Sequence, residues 1–455
     1  MKKKLSFKEV LLVGSLLFGL YFGAGNLIFP LELGQKSGVN LTPVTIGFLL
    51  SGVGLPILGI VATGLSDSES LFESAKPAGD FFAYFFTILL YLTIGPGFAI
   101  PRTATVSYEV GLKGLVGAND SLYLLIFSII FFLLAYLFAV KKGNLIDTIG
   151  KYMTPIFLIL LALIAILGFI KPMGPVASID PTKEYQTSPF TAGFIDGYNT
   201  LDAPASLAFA VLIIAAIKKL GVTEPADIGR EVLKAGIVCL VAMGVVYSSL
   251  AYLGSTSAHI MDGGENGAII LAKISNHYLG SFGHILLSLI VFIACLKTAI
   301  GLISACSEMF SEMLSFNISY KQYCIIFVIV SFLIANLGLT RIISLSIPVL
   351  MFLYPLSIAL IFLSMVSIKT GKRETIYKWT LGLTAFAAFF DLLINLPESI
   401  SKSNFVTSIL TFPNKYLPGF SLGFGWIIPT MLGFVIGYMI DKAKKKSKVT
   451  YTTGK

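Results

Sequence analysis

Apolar runs of about twenty residues recur along this chain, and no other feature restricts its fold as severely. A helix needs about 20 consecutive apolar residues to cross a bilayer core. That core offers no water to free N–H and C=O groups, so only helices and closed barrels can cross it. Barrel strands would appear as short alternating segments, whereas these runs are continuous. The class is an all-α polytopic membrane protein. Composition agrees: 56% of the residues are hydrophobic and 13% charged, against roughly 25% charged in soluble domains.

Twelve spans are predicted, near residues 8–31, 42–65, 81–111, 121–140, 149–170, 190–217, 235–255, 282–310, 322–338, 342–367, 377–396 and 419–440. Met1-Lys2-Lys3-Lys4 ahead of the first run resembles the start of a signal peptide. The run passes Phe22 without a small-x-small cleavage site, so it reads as a retained first helix. Basic residues divide between alternate loops roughly three to one. The richer side holds Lys2, Lys3, Lys4 and Lys8, then Lys141, Lys142, Lys151, Lys218, Lys219, Lys372 and Arg373, and the tail with Lys442, Lys444, Lys445, Lys446, Lys448 and Lys455. Positive loops stay in the cytoplasm, so both termini are predicted there. The net charge of +9 is therefore a topology signal and not a nucleic-acid footprint.

Chemistry-bearing motifs are sparse. Cys239, Cys295, Cys306 and Cys324 fall in or beside spans without CxxC spacing and read as packing residues. His259, His277 and His284 lack metal-ligand spacing. No HExxH and no Walker loop occurs, and no long soluble region could house a catalytic centre. A membrane enzyme and an ATP-driven pump are thus disfavoured, and no cofactor, metal or obligate protein partner is expected. A solute channel stays open as an alternative, because a pore needs little motif.

Two spans carry interruptions. The first contains Phe22-Gly23-Ala24-Gly25-Asn26 and then Phe29-Pro30. The sixth contains Thr191 to Pro204, with Gly193, Phe194, Ile195, Asp196, Gly197, Tyr198, Asn199, Thr200 and Asp202. Each glycine costs a helix roughly 1 kcal/mol. Glycines in the first span also suit tight helix packing, and Asp196 and Asp202 also suit a loop. Interruptions at the first and sixth spans are the signature of a five-plus-five inverted repeat. The repeats would cover about 8–170 and 190–367 of a single transporter domain, 1–455, with extra helices at about 377–440. Half-helix N-termini would face an anion, and half-helix carbonyls a cation. Asp196 and Asp202 could hold a substrate ammonium, a proton or a sodium ion, or pair with Arg102.

Other charges lie at membrane depth. Gly95, Pro96 and Pro101 predict a kink in span three. Arg102 and Glu109 stand two turns apart on one face there, as a gate charge or as a structural ion pair near the interface. Lys297 lies too deep in span eight to snorkel, so it faces protein or a water-filled cavity. It is either half of a structural pair with an acidic group on a neighbouring helix, or a functional ammonium that carries a fixed charge or exchanges its proton. Asp391, in span eleven beyond the repeats, reads as a structural or oligomer contact.

Together these residues resemble a known family. Phe22-Gly23-Ala24-Gly25-Asn26-Leu27-Ile28-Phe29-Pro30 is similar to the N-terminal hallmark of bacterial branched-chain amino acid:cation symporters. So are Gly95-Pro96, Ala99-Ile100-Pro101-Arg102-Thr103-Ala104-Thr105, Gly197-Tyr198 with Thr200 and Asp202-Ala203, and Cys295-Leu296 with Thr298-Ala299 and Gly301-Leu302. The resemblance runs from span one through at least span ten. It implies secondary active uptake of leucine, isoleucine and valine across the bacterial inner membrane, coupled to sodium or protons. It also implies the fold shared with amino acid and neurotransmitter symporters. By that resemblance Gly23, Ala24, Gly25 and Asn26, with Gly193 to Thr200, bind the substrate backbone. Sodium would sit between carbonyls near Gly19 and Phe22 and the hydroxyl of Thr298, with Asp202 in the coupling network. The family ordinarily has a hydroxyl residue before that threonine, and this chain has Lys297. Some proton-coupled transporters of this fold use a lysine ammonium in place of sodium. The expectation is therefore a proton-coupled or sodium-independent variant, with transport of another small amino acid as the alternative.

Overall fold

A computed structural model describes residues 4–452 except 67, 69, 115, 117–119, 141–144, 177–178, 262–264 and 315. Lys2, Lys3, Lys141, Lys142 and Lys455 therefore lie outside the described residues, as do the side chains of Lys151, Lys445, Lys446 and Lys448. The described chain is helical, with no strand. The α-helices of eight or more residues are α1 Phe7–Tyr21, α2 Ala24–Ser37, α3 Leu41–Leu49, α4 Leu55–Leu65, α5 Asp80–Leu92 and α6 Ala99–Gly111. There follow α7 Asp120–Val140, α8 Leu145–Ile170, α9 Pro189–Asp196, α10 Asp202–Lys219, α11 Pro225–Ser257 and α12 Gly267–Met313. The last are α13 Tyr320–Ala335, α14 Leu339–Thr370, α15 Glu374–Ile394, α16 Asn404–Tyr416 and α17 Ile427–Thr452.

Among the described residues, seven helical stretches are long and apolar enough to cross a membrane, and eight if the two pieces of 189–219, bent by 46°, form one span. Length and composition alone do not reach twelve. Two of the predicted spans fall short by length, since α1 stops after 15 residues and α13 has only 16.

Local chemistry sets the ends of these helices. Ser6 and Glu9 form a reciprocal capping box at the start of α1. At Phe22 and Gly23 the backbone becomes extended, and the Gly23 amide turns to the Asn26 side chain, Oδ1 at 3.2 Å, instead of the Gly19 carbonyl. Asn26 thus caps α2 from inside its first turn. The second interruption runs through a 3₁₀ turn at Gly197–Thr200 to Leu201, the one described non-glycine residue with positive φ, at 68°. A left-handed leucine costs about 1 kcal/mol or more, and burial of its side chain holds it there. Asp202 then opens α10.

Kinks appear elsewhere too. Between α5 and α6 the helix passes through a π-turn with Gly95 outside helical geometry (φ −100°, ψ −126°). The predicted start of span eight at 282 falls just after Gly280, where α12 breaks with φ 63°. The piece before that break folds back onto α2, where a β-carbon on Gly267 would lie 1.9 Å from the Ile28 carbonyl oxygen.

Packing follows the interruptions. Both α1 and α2 pack on α11, while α9 packs on α3 and α10 on α4. Close approach rests on reciprocal glycines. A β-carbon on Gly34 would lie 1.9 Å from the Ala251 oxygen, and one on Gly254 would lie 2.0 Å from the Leu31 oxygen. Across α3 and α9, Gly47 faces the Phe190 oxygen at 2.1 Å and Gly193 the Val44 oxygen at 2.0 Å by the same construction. With no hydrophobic force between helices in lipid, such backbone contact is a main source of association.

Candidate functional site

The two interruptions meet in the interior. The Asn26 amide Nδ2 donates to Asp202 Oδ2 at 2.6 Å and to the Tyr247 hydroxyl. The Tyr247 hydroxyl in turn donates to Asp202 Oδ2 at 3.2 Å. All three side chains are buried, so one network ties α2, α10 and α11 together. The Thr200 hydroxyl accepts from the Asp202 amide at 3.3 Å, placing that carboxyl at the positive end of α10.

Arg102, only 5% exposed, reaches the second interruption from α6. Its Nη1 donates to the Asn199 carbonyl at 2.7 Å and its Nη2 to the Thr200 carbonyl at 3.4 Å. Its guanidinium lies 5.2 Å from the centre of the Phe29 ring. One cation thus closes carbonyls that a broken helix leaves open. Its expected partner Glu109 is engaged elsewhere, with Lys113 at 3.0 Å and with Asn266. The two residues share a face, but two turns separate them by roughly 10 Å along the axis, so each meets different neighbours.

Two cavities flank this network. A small one of about 50 Å³ is lined by Gly23, Ala24, Gly25, Asn26, Arg102, Thr200, Asp202 and Thr298, with Leu20, Ile94, Phe209 and Leu302 as apolar wall. A larger one of about 660 Å³ reaches the surface near Lys183 and Glu184 and takes in Ile195, Asp196, Tyr198 and Asn199. Arg102 lines the small cavity and Phe29 the larger one.

The predicted site residues therefore separate. Gly23 to Asn26, Thr200, Asp202, Arg102 and Thr298 converge on the small cavity, whereas Ile195, Asp196, Tyr198 and Asn199 face the larger one. Asp196 is held there by the Tyr185 hydroxyl. Gly193, Phe194 and Gly197 pack against α3 and its continuation: the Phe194 carbonyl accepts from Ser51 at 2.5 Å, and a β-carbon on Gly197 would meet Ser51 Oγ at 2.0 Å. Lys297 reaches the end of α1, its Nζ 3.8 Å from where a β-carbon on Gly19 would stand. Thr298 touches the same break, with its methyl 3.6 Å from the corresponding point on Gly23, and its hydroxyl donates to the Ala294 carbonyl at 3.0 Å.

Sequence reasoning does not single out Tyr247 or Ser51, and it reads Phe29 only as part of the first interruption. Tyr247 carries a legible signal, a phenol deep in an apolar span, where a buried hydroxyl demands a partner. One further pattern, Gly419-Phe420-Ser421-Leu422-Gly423, has the spacing GxSxG. It forms a 3₁₀ turn between helices, not the strand–turn–helix that gives that motif its chemistry.

Fold and site together describe a multi-pass membrane protein with the architecture of a secondary transporter. The solved inward-facing conformation of Mhp1 superposes with a TM-score of 0.63 over 95% of this chain and 91% of that one, at 11% identity. The closed conformation of Mhp1, a nucleobase-cation-symport-1 family transporter, with bromovinylhydantoin bound gives 0.58 over 98% and 95%, at 13% identity. At such identities the likeness concerns the fold alone. Sequence relatives are nearer. The branched-chain amino acid permease BrnQ of Lactobacillus delbrueckii subsp. lactis is 42% identical over 438 residues, 96% of this chain and 97% of the relative. BrnQ of Bacillus subtilis (strain 168) is 40% identical over 449 residues, 98% of this chain and all of that one. The family described as branched-chain amino acid transport protein matches residues 6–444, and the chain belongs to it.

Proposed function

We propose that this protein takes up leucine, isoleucine and valine by alternating access, coupled to a cation gradient. The observation that carries this reading is the meeting of both helix interruptions at Asn26, Asp202 and Tyr247 beside a small, largely apolar cavity. The relatives' names supply the substrate class. In this reading twelve spans cross the bacterial cell membrane with both termini in the cytoplasm, and the helices of 8–170 and 190–367 form inverted repeats. The crosswise packing of α1 and α2 on α11, and of α9 and α10 on α3 and α4, supports a moving bundle of spans one, two, six and seven.

Backbone groups at Gly23 to Asn26 and at Thr200 hold the substrate's charged ends, and Leu20, Ile94, Phe209 and Leu302 hold its branched side chain. An apolar pocket distinguishes one methylene by roughly 1–3 kcal/mol, so the three substrates compete with one another and alanine competes poorly. Arg102 is the gate between the two cavities. Lys297 stands at the carbonyl end of α1, where a coupling sodium would otherwise bind, and makes transport proton-coupled or sodium-independent.

Radiolabelled leucine uptake into proteoliposomes, with sodium and proton gradients imposed separately, tests both parts. Uptake driven by protons alone, with sodium dependence appearing in Lys297→Thr, is the expected result. Sodium-driven uptake in the unmodified chain would make Lys297 a structural charge. Absence of saturable leucine uptake and counterflow under either gradient would refute the substrate assignment.

A further inference from the structure

The larger cavity holds a second constellation that the transport site does not use. Asp391, on α15, lines it at 1% exposure, and its Oδ2 has no hydrogen-bond partner. Tyr198 lines the same cavity at 2% exposure, stacked 4.0 Å from Tyr354, and its hydroxyl is likewise unpartnered. Of the other carboxylates along this space, Glu32 pairs with Lys36 at 2.6 Å, Asp196 is held by Tyr185, and Glu184 stands exposed at the rim. Beside Tyr198, the side chains of Ile195, Ile347, Leu350 and Met351 form an apolar cluster on this wall, and Thr191, Asn199, Asn395 and Ser421 also line the cavity. The volume of about 660 Å³ falls within the range of small-molecule sites, roughly 300–1,000 Å³.

A buried carboxylate without a partner is costly, and a bound cation relieves that cost. Two buried, unpartnered polar atoms next to a cluster of branched aliphatic side chains suit an ammonium that carries an apolar chain. We propose that the larger cavity is a second substrate site, in which Asp391 and Tyr198 bind the ammonium of a branched aliphatic amino acid before it passes Arg102. Lys183, at the cavity's exposed rim, offers the charge that suits the substrate carboxylate. This inference rests on the substrate class proposed above and adds a station to its route.

Equilibrium binding of radiolabelled leucine to the purified full chain tests it. Two leucines per chain are expected, falling to one in Asp391→Asn and in Ile347→Trp, which leaves the carboxylate in place and crowds the apolar cluster beside Tyr198. In Asn26→Ala, which disrupts the small cavity, the surviving site should weaken at least about tenfold on adding Asp391→Asn, as for loss of a charge-assisted hydrogen bond. 3-Methylbutylamine should displace that leucine, and 4-methylpentanoate should not. One leucine per chain in the unmodified protein, or two in both cavity variants, would overturn the proposal. So would displacement of that leucine by sodium and not by the amine. If leucine fails to bind anywhere, the substrate class is wrong; direct calorimetry of 3-methylbutylamine, abolished or not by Asp391→Asn, still decides the site. Should Asp391→Asn misfold by size exclusion, the leucine stoichiometry of Ile347→Trp decides alone.

Discussion

Asn26 is where the packing of the two interruptions becomes measurable. Replacing it with alanine removes the donor to Asp202 at 2.6 Å, the bond to Tyr247, and the acceptor for the Gly23 amide at 3.2 Å. Asp202 keeps Tyr247 at 3.2 Å, so it is not fully orphaned. The Gly23 amide is left partly buried, which costs about 1–3 kcal/mol, and the bond to a carboxyl is worth about 1.5–3. The adjoining cavity of about 50 Å³ has room for a water molecule that offsets part of the loss. A net cost of about 2–4 kcal/mol follows, or roughly thirty- to a thousandfold in leucine affinity if it falls wholly on the bound state. A double-mutant cycle with Asp202→Ala isolates the shared bond. The double variant should lose about 1–3 kcal/mol less than the two single losses added together, by equilibrium leucine binding and by thermal unfolding in detergent. Additivity within about 0.5 kcal/mol would refute the claim that this bond links the two helices.

Further predictions concern the gate and the helix contacts. Arg102→Lys keeps the charge but loses the two-pronged grip on the Asn199 and Thr200 carbonyls and the stacking on Phe29; leucine exchange should slow at least about tenfold while equilibrium affinity changes less than about threefold, and the reverse pattern would make Arg102 a binding residue. Gly193→Ala drives a β-carbon to 2.0 Å from the Val44 oxygen and should destabilise the protein by about 1–3 kcal/mol, read as a lower melting temperature in detergent. Gly34→Ala and Gly254→Ala should each do the same, but together cost less than their sum, because one displacement of α2 from α11 relieves both contacts.

How much of this is legible in the sequence depends on whether a residue acts through its own backbone or through distant neighbours. The first interruption is readable because Gly23, Gly25 and Asn26 are themselves poor helix formers. The second is readable only as a region. Its turning point is Leu201, which no propensity scale would place in a left-handed conformation. The kink near Gly95 and the start of span eight after Gly280 are local too. By contrast, the separation of Asp196 from Asp202, the engagement of Glu109 by Lys113 and Asn266, and the recruitment of Tyr247 follow from helix packing, which sequence spacing does not encode. Asp391 reads as a structural or oligomer contact in the sequence because span eleven lies outside the proposed repeats. In the fold α15 packs on α14 and α17, and Asp391 forms part of the larger cavity's wall.

The two interruptions are not chemically equivalent, and that asymmetry bears on mechanism. At the second, the protein supplies its own ligands: Arg102 closes the carbonyls of Asn199 and Thr200, and Asp202 sits at the opening of α10 among its free amides. On the proposed reading, a substrate arriving there would displace or share those bonds, so its binding energy would be available to move the helices. At the first, the Gly23 amide is taken by Asn26, while the end of α1 is turned towards Lys297 and Thr298. A charge change at that position would act on α1, and through Asn26 and Asp202 on α10, without touching Arg102. Coupling of cation to substrate would then run through the Asn26–Asp202 bond and opening of the gate through Arg102. Asn26→Ala should accordingly uncouple uptake from the ion gradient while leaving exchange measurable, and Arg102→Lys should slow both alike.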